Sequence, residues 1–256
     1  MNKIEVVNDV IVKKNLDDAF TLVVDEGTEF LSVNQLKITV KKNATLKVFY
    51  HGTKPSKLNI VIEVQPNQKL RMEEIRFNQN VKVQYQYRIL DGACVTVNRM
   101  SSSHHKRQWD LVYLNGKNAQ FSLCESTIAS KEQHNHVLIY HNASHTKSFL
   151  NFRGITVEEG KIQLSMTGIV EQGMNHCKLE QNAEIVGMND QVSEIEPMYV
   201  VEEDKTVQAV TNTNIVNTMP QNVTMRQFLM GNVTFTKEFQ HKIEKEIKEL
   251  EVSYES

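Results

Sequence analysis

Histidine and cysteine are the side chains best equipped for chemistry in this sequence of 256 residues, which has nine of the first and three of the second. Most of the histidines fall in short groups: His104-His105, His134-Asn135-His136, His141, His145 and His176-Cys177. Imidazole nitrogens and thiolates are good ligands for zinc and iron. His134 and His136, two residues apart, share one face of a strand, a workable spacing for a metal at a sheet edge. Against a metal stands the lack of any HExxH or Cys/His finger spacing. Polar residues at turns or on an outer face also need no ligand role. No metal site is therefore assigned, and His176 with Cys177 is the pair to watch, because a neighbouring imidazole lowers a thiol pKa. Cys94 lies beside Val95 and Val97, and Cys124 lies between Leu123 and Glu125. Both read as small buried apolar side chains. The carboxylate run Glu202-Glu203-Asp204 offers acid/base groups, but such a charge run is usually a solvated turn. Nucleotide and hydrolase signatures of the GxxxxGK[ST], GxGxxG and GxSxG types are missing, so no catalysis by this chain is expected.

The bulk properties exclude more than they select. Formal charge is −2, which gives no electrostatic footprint for nucleic acid. Hydrophobic residues make up 40% of the chain, ordinary for a folded domain. No apolar run reaches the roughly 18 residues of a membrane span, and the first residues lack the apolar core of a signal peptide. An odd number of cysteines without a CxxC pair fits reduced thiols. The expectation is a cytoplasmic protein.

The positioning elements are strands. Apolar and polar residues alternate with period two over most of residues 31–202, as in Leu36-Lys-Ile-Thr-Val40, Ala44-Thr-Leu-Lys-Val-Phe-Tyr50 and Val81-Lys-Val-Gln-Tyr-Gln-Tyr87. Val, Ile, Thr and Tyr dominate them, the residues that suit a pleated half-buried surface. Strand starts recur near 44, 57, 69, 81, 93, 107, 119, 132, 147 and 160. Gly52, Asn67, Asn80, Gly92, Asn118 and Gly160 punctuate them as turn residues. Every second start tends to read as a turn residue followed by Ala: Asn43-Ala44, Gly92-Ala93, Asn118-Ala119, Asn142-Ala143. That is a repeat of about 25 residues, within the range of solenoids. A parallel β-helix accounts for it, with inward side chains such as Leu46, Ile60, Val83 and Val95 forming one core ladder. Periodicity alone fits an antiparallel sandwich or barrel equally well.

After Pro220 the pattern changes. Phe235, Phe239, Ile243, Ile247 and Leu250 recur at helical spacing and make one apolar stripe. Thr236 is placed to cap that helix. Met225-Arg-Gln-Phe-Leu-Met230 reads as a shorter helical turn before it.

Several of these pieces occur in a recognisable order. His141-Asn-Ala-Ser-His-Thr146-Lys-Ser148 is followed by Phe152-Arg-Gly154-Ile and then by Met166-Thr-Gly168-Ile. The ordered set resembles the SufB/SufD family, the β-helical scaffold subunits of the SUF machinery that assembles iron–sulfur clusters. The similarity covers residues 25–211 and is best over 92–175. It implies an all-β fold: a right-handed parallel β-helix over 25–211, a lead-in at 1–24 and a helical tail at 212–256. Glu196-Pro197-Met-Tyr-Val-Val-Glu-Glu-Asp204 matches the family's proline strand. The family's reactive motif does not continue: its place reads Thr206-Val-Gln-Ala-Val-Thr211, and Gln191 lies near the place of a cluster-linked cysteine. The chain thus resembles a minimal SufD more than SufB.

What the resemblance implies is a non-catalytic scaffold. It would pair with a SufB-like subunit, or with itself, and dock a SufC-like ABC ATPase through Phe228, Leu229 and Met230. It would bind no cofactor tightly by itself, the nascent iron–sulfur cluster being handled in the complex. Two other readings compete. One is a cytosolic structural or polymerising β-solenoid. The other is a β-helical carbohydrate-active enzyme, which the single tryptophan, Trp109, makes a poor fit.

Overall fold

The computed structural model describes residues 2–5, 13–16, 19–24, 36–50, 56–77, 81–103, 105–201 and 206–255. Gly52, Asn80, His104 and the run Glu202-Glu203-Asp204 lie outside the described residues. The strands are β1 (Asn2–Glu5), β2 (Lys13–Leu16), β3 (Ala19–Val24), β4 (Leu36–Val40), β5 (Ala44–Tyr50), β6 (Ser56–Val64), β7 (Lys69–Phe77), β8 (Val81–Ile89) and β9 (Cys94–Ser103). They continue with β10 (Lys106–Leu114), β11 (Gln120–Ala129), β12 (Glu132–His141), β13 (Lys147–Thr156), β14 (Lys161–Val170), β15 (Lys178–Gly187), β16 (Glu194–Val201) and β17 (Gln208–Val216). Two helices follow, α1 (Met225–Met230) and α2 (Lys237–Glu255).

The odd-numbered strands form a nine-stranded sheet and the even-numbered strands an eight-stranded sheet, each in sequence order. Every pairing is parallel, as in Lys69↔Cys94, Cys94↔Gln120 and Gln120↔Lys147. A chain that alternates between two sheets and adds each strand beside the one before last is a parallel β-helix. This topology excludes the antiparallel sandwich that periodicity left open. The strand starts expected at 44 to 160 fall on β5 to β14, each within a residue. Parallel pairing also runs past both ends of 25–211, through β1 to β3 and to Val216 in β17.

Alternation decides which residues turn inward. Leu46, Ile60, Val83 and Val95 are all buried, within one apolar cluster that fills the lumen between the sheets. Two motif glycines mark its narrow places. A Cβ on Gly154 would lie 2.6 Å from Ile162 Cδ1, and one on Gly168 2.5 Å from Leu179 Cδ2, so a larger residue at either place would push the tip of that side chain aside.

A second apolar cluster lies outside the lumen. Ile75, Met100, Ile128, Ile155 and Val186 project from the outer face of the nine-stranded sheet and meet Phe228, Leu229, Phe239, Ile243 and Ile247 of the helices. The apolar stripe of α2 therefore packs back on the β-helix. The Leu250 side chain is outside the described ones.

Candidate functional site

One corner of the β-helix explains the histidine motif. Asn67, Gly92, Asn118, His145 and His176 all have φ between 54° and 63°. Glycine adopts this left-handed conformation freely, and Asn and His are enriched among the other residues that tolerate it. These residues stack coil upon coil. Asn67 N–H donates to Asp91 O (2.7 Å), Gly92 to Lys117 O (2.8 Å), Asn118 to Ser144 O (3.4 Å) and His145 to Asn175 O (2.8 Å). The last, His176, donates to Thr206 Oγ1 at 3.0 Å. The residue after four of the five left-handed positions points inward: Ala93 and Ala119 are fully buried, Thr146 likewise, and Cys177 is 1% exposed, while Gln68, after Asn67, is half-buried. The equivalent of Asn118-Ala119 is thus His145-Thr146, not Asn142-Ala143. Both turns have five residues, 115–119 and 142–146, and in each the left-handed residue is the last but one.

His176 and Cys177 are parted by this geometry. The His176 ring lies outside, stacked on His145 with centroids 4.8 Å apart. Cys177 Sγ faces inward, 3.3 Å from Thr146 Oγ1. Adjacent residues on opposite sides of the wall cannot ligate one ion together. His134 and His136 both face outward on β12, and the His136 ring stacks on Trp109 at 5.6 Å. Among the described residues no three of His, Cys, Asp and Glu converge into a metal-holding group.

His141 sits inside the same corner. Thr146 Oγ1 donates to Ala143 O at 2.9 Å and so accepts from His141 Nδ1 (2.7 Å); Nε2 in turn accepts from Ser148 Oγ at 2.9 Å. A hydroxyl donating to an imidazole is the arrangement of an activated nucleophile. Here both groups face the lumen and are buried, and a substrate would have to enter between hydrogen-bonded coils. Burial pushes the His141 pKa down to about 4, so the ring is neutral and ties the corner together.

The lumen also holds a cluster of charge. Arg99 Nε donates to Glu74 Oε2 (2.6 Å), its Nη1 to Asp110 (2.9 Å) and Glu125 (2.8 Å), and its Nη2 to Asp110 (3.0 Å). Arg76 binds Glu74 and Gln108, Lys106 binds Glu125, and Tyr85 donates to Glu74 at 2.7 Å. All six ionisable residues, Glu74, Arg76, Arg99, Lys106, Asp110 and Glu125, are within 2% of full burial. Burial raises the Glu74 pKa, but Arg76 and Arg99 outweigh it and hold the carboxyl at about 2. Burial likewise lowers Lys106, to about 8, against the pull of Glu125. Sequence reasoning missed this cluster. The signal was present, because each charge lies in phase with inward apolar neighbours, as in Leu70-Met72-Glu74-Arg76.

The segment that resemblance marks for partner docking is stitched across the outer face of the nine-stranded sheet. Thr224 caps α1 in a capping box with Gln227. Arg153 Nη1 donates to Phe228 O at 2.8 Å with its guanidinium over the Phe228 ring, and Ser126 Oγ donates to Leu229 O at 2.8 Å. Asn232 Nδ2 donates to Glu125 O at 2.6 Å. At the head of α2 the Glu73 carboxylate accepts from both N–H (3.1 Å) and Oγ1 (2.9 Å) of Thr236. Thr236 thus stands at the cap position, but its hydroxyl serves the sheet. Phe228 and Leu229 are buried under the segment; Met230 is partly exposed. Met230 lines a groove between the helices with Arg226, Gln227, Gln240 and Glu244.

The remaining feature is the open end. β16 and β17 are the last strands of their sheets, and among the described residues no further coil covers them. Met188, Val192, Met198, Val200, Val210 and Ile215, the exposed large hydrophobics among the described residues, all lie at this end. Val192 is 74% exposed. Three of them, Met188, Val192 and Ile215, line a cavity of about 880 Å³ with Gln191. No helix of the described residues is long and apolar enough to cross a membrane.

No family model matches the chain. No curated protein matches it either.

Proposed function

We propose that this protein is a non-catalytic scaffold subunit of a SufBCD-type iron–sulfur cluster assembly complex. It pairs with a SufB-like subunit and carries one SufC-type ABC ATPase, the cluster being the cargo of the complex. The observation that carries the reading is the apolar end of the β-helix. A stack that stops on six exposed large hydrophobics and two free strand edges is built to be continued by another chain. The order of the His141, Arg153-Gly154 and Gly168 motifs supplies the resemblance that names the partner. In this reading Phe228 and Leu229 anchor the docking segment from beneath, and Met230 with the groove between α1 and α2 meets the ATPase.

The test is co-expression with a SufB-like and a SufC-like subunit. The wild type co-purifies with both. Val210→Lys with Ile215→Lys removes the SufB-like subunit, and Met230→Asp with Arg226→Glu removes the ATPase, each with an unchanged far-UV circular dichroism spectrum. A wild-type chain that binds neither partner overturns the reading. A polymerising solenoid is the second reading, favoured by the same free edges, and shows itself as filaments of the chain alone.

A further inference from the structure

The two sheets of this β-helix differ on their outer faces. The helices cover much of the nine-stranded one. The eight-stranded one has no covering element among the described residues, yet its middle is apolar and aromatic. Register aligns its outward residues in rows along the stack. One row runs Leu111, Leu138, Thr167, Met198 and the next Tyr113, Tyr140, Ile169, Val200. Tyr113 and Tyr140 stack at 5.2 Å and Trp109 and His136 at 5.6 Å. All are half-buried or exposed.

Charge is graded along the same face. On the β8 and β10 side stand Lys82 and Arg107, both exposed. On the β16 side stand Glu194 and Glu196, both exposed. Glu194 is bound by Lys161 at 2.9 Å; no ion pair involves Glu196 among the described residues. A surface positive at one end, negative at the other and apolar between is complementary to itself when turned by a two-fold axis.

We propose that the outer face of the eight-stranded sheet is a dimerisation surface whose occupant is a second copy of this chain. The axis runs along β12, so that β8 of one copy lies over β16 of the other. Lys82, level with Glu194 through the row Lys82, Arg107, His134, Gln163 and Glu194, then faces Glu194 of the other copy, and the Leu111–Leu138 and Tyr113–Tyr140 rows form the dry centre. Five strands of about 30 Å, spaced about 4.8 Å apart, offer about 700 Å² per copy. A standard interface buries about 800 Å² per partner, so the face is large enough by itself. The inference goes beyond the proposed scaffold role, because this face, which shares only Met198 and Val200 with the open end, is centred on β10 and β12.

The test is sedimentation equilibrium of the purified chain at low salt, from about 1 to 100 μM, with circular dichroism as the control for folding. The wild type is a dimer, and Leu138→Lys makes it a monomer. Lys82→Glu and Glu194→Lys each weaken the dimer at least about tenfold, because each sets like charges face to face. The double variant recovers to within about threefold of the wild type. Val210→Lys with Ile215→Lys, at the open end, leaves the dimer intact. A monomeric wild type overturns the proposal. So does a dimer lost in the open-end variant and kept in Leu138→Lys, or a double variant no tighter than the singles.

Discussion

Arg99→Met is the sharpest test of the charged lumen. The guanidinium binds Glu74, Asp110 and Glu125 through four contacts between 2.6 and 3.0 Å, and every partner is buried. Methionine keeps much of the volume and removes the charge. Three carboxylates are then left against Arg76 and Lys106, one negative charge in excess in a place water does not reach. Removing one partner from a buried ion pair costs about 3–5 kcal/mol, a large share of the roughly 5–15 kcal/mol that holds a domain folded. For a chain of this size that lowers Tm by about 10 °C. The deficit must also depend on pH. In the variant the surplus carboxylate has a folded pKa above its unfolded one, so the folded state binds more protons near neutrality. Stability of the variant relative to wild type therefore recovers as pH falls from 7 towards 5. The measurement is urea unfolding at several pH values, followed by far-UV circular dichroism and by the fluorescence of Trp109, which neighbours Asp110. A loss below about 1 kcal/mol at pH 7, or a gap that does not narrow on acidification, refutes the reasoning.

Three further outcomes are expected. His141, held down to about 4 against an ordinary 6.5, contributes stability that is complete above pH 6.5 and is lost as pH falls through 4, about 3 kcal/mol in all; in His141→Gln the urea midpoint has a shallower slope over that window, and an unchanged slope speaks against a neutral buried ring. Asn135 faces the lumen at 1% exposure and neither end of its amide meets a protein group, so Asn135→Leu should raise stability by about 1 kcal/mol, which thermal melting checks and a lower Tm contradicts. Phe228→Asp sets a charge into the cluster beneath α1 and should cost about 3 kcal/mol or more; a variant as stable as wild type would mean that the segment does not rest on the sheet.

Much of the fold was legible because strands announce themselves by alternation. The inward positions Leu46, Ile60, Val83 and Val95 followed from period two alone, and the strand starts from turn residues at a near-constant interval. The helix stripe of Phe239, Ile243 and Ile247 was equally plain, though its partner surface was not. Of the candidate residues, Cys94 and Cys124 were read as buried fillers and are half-buried, while Cys177 is the buried one. His145 and His176 drew attention as ligands, yet their place follows from backbone conformation at a stacked corner. The register shift from Asn142-Ala143 to His145-Thr146 was not legible, since only the neighbouring coil shows which turn residue takes the left-handed conformation.

The sequence by itself determined that this chain is a stack of short strands ending in an amphipathic helix. That information is local: alternation, turn residues and helical spacing act within a few residues of each other. Only the tertiary structure decided that the strands pair in parallel, that six charges from β7, β9, β10 and β11 close on one another in the lumen, and that α1 and α2 lie on the nine-stranded sheet and not on the eight-stranded one. Those outcomes join residues from 11 to more than 100 positions apart. A charge at an inward position reads as a mistake until its partner on the next coil is in place, and an apolar stripe does not say which face it will cover.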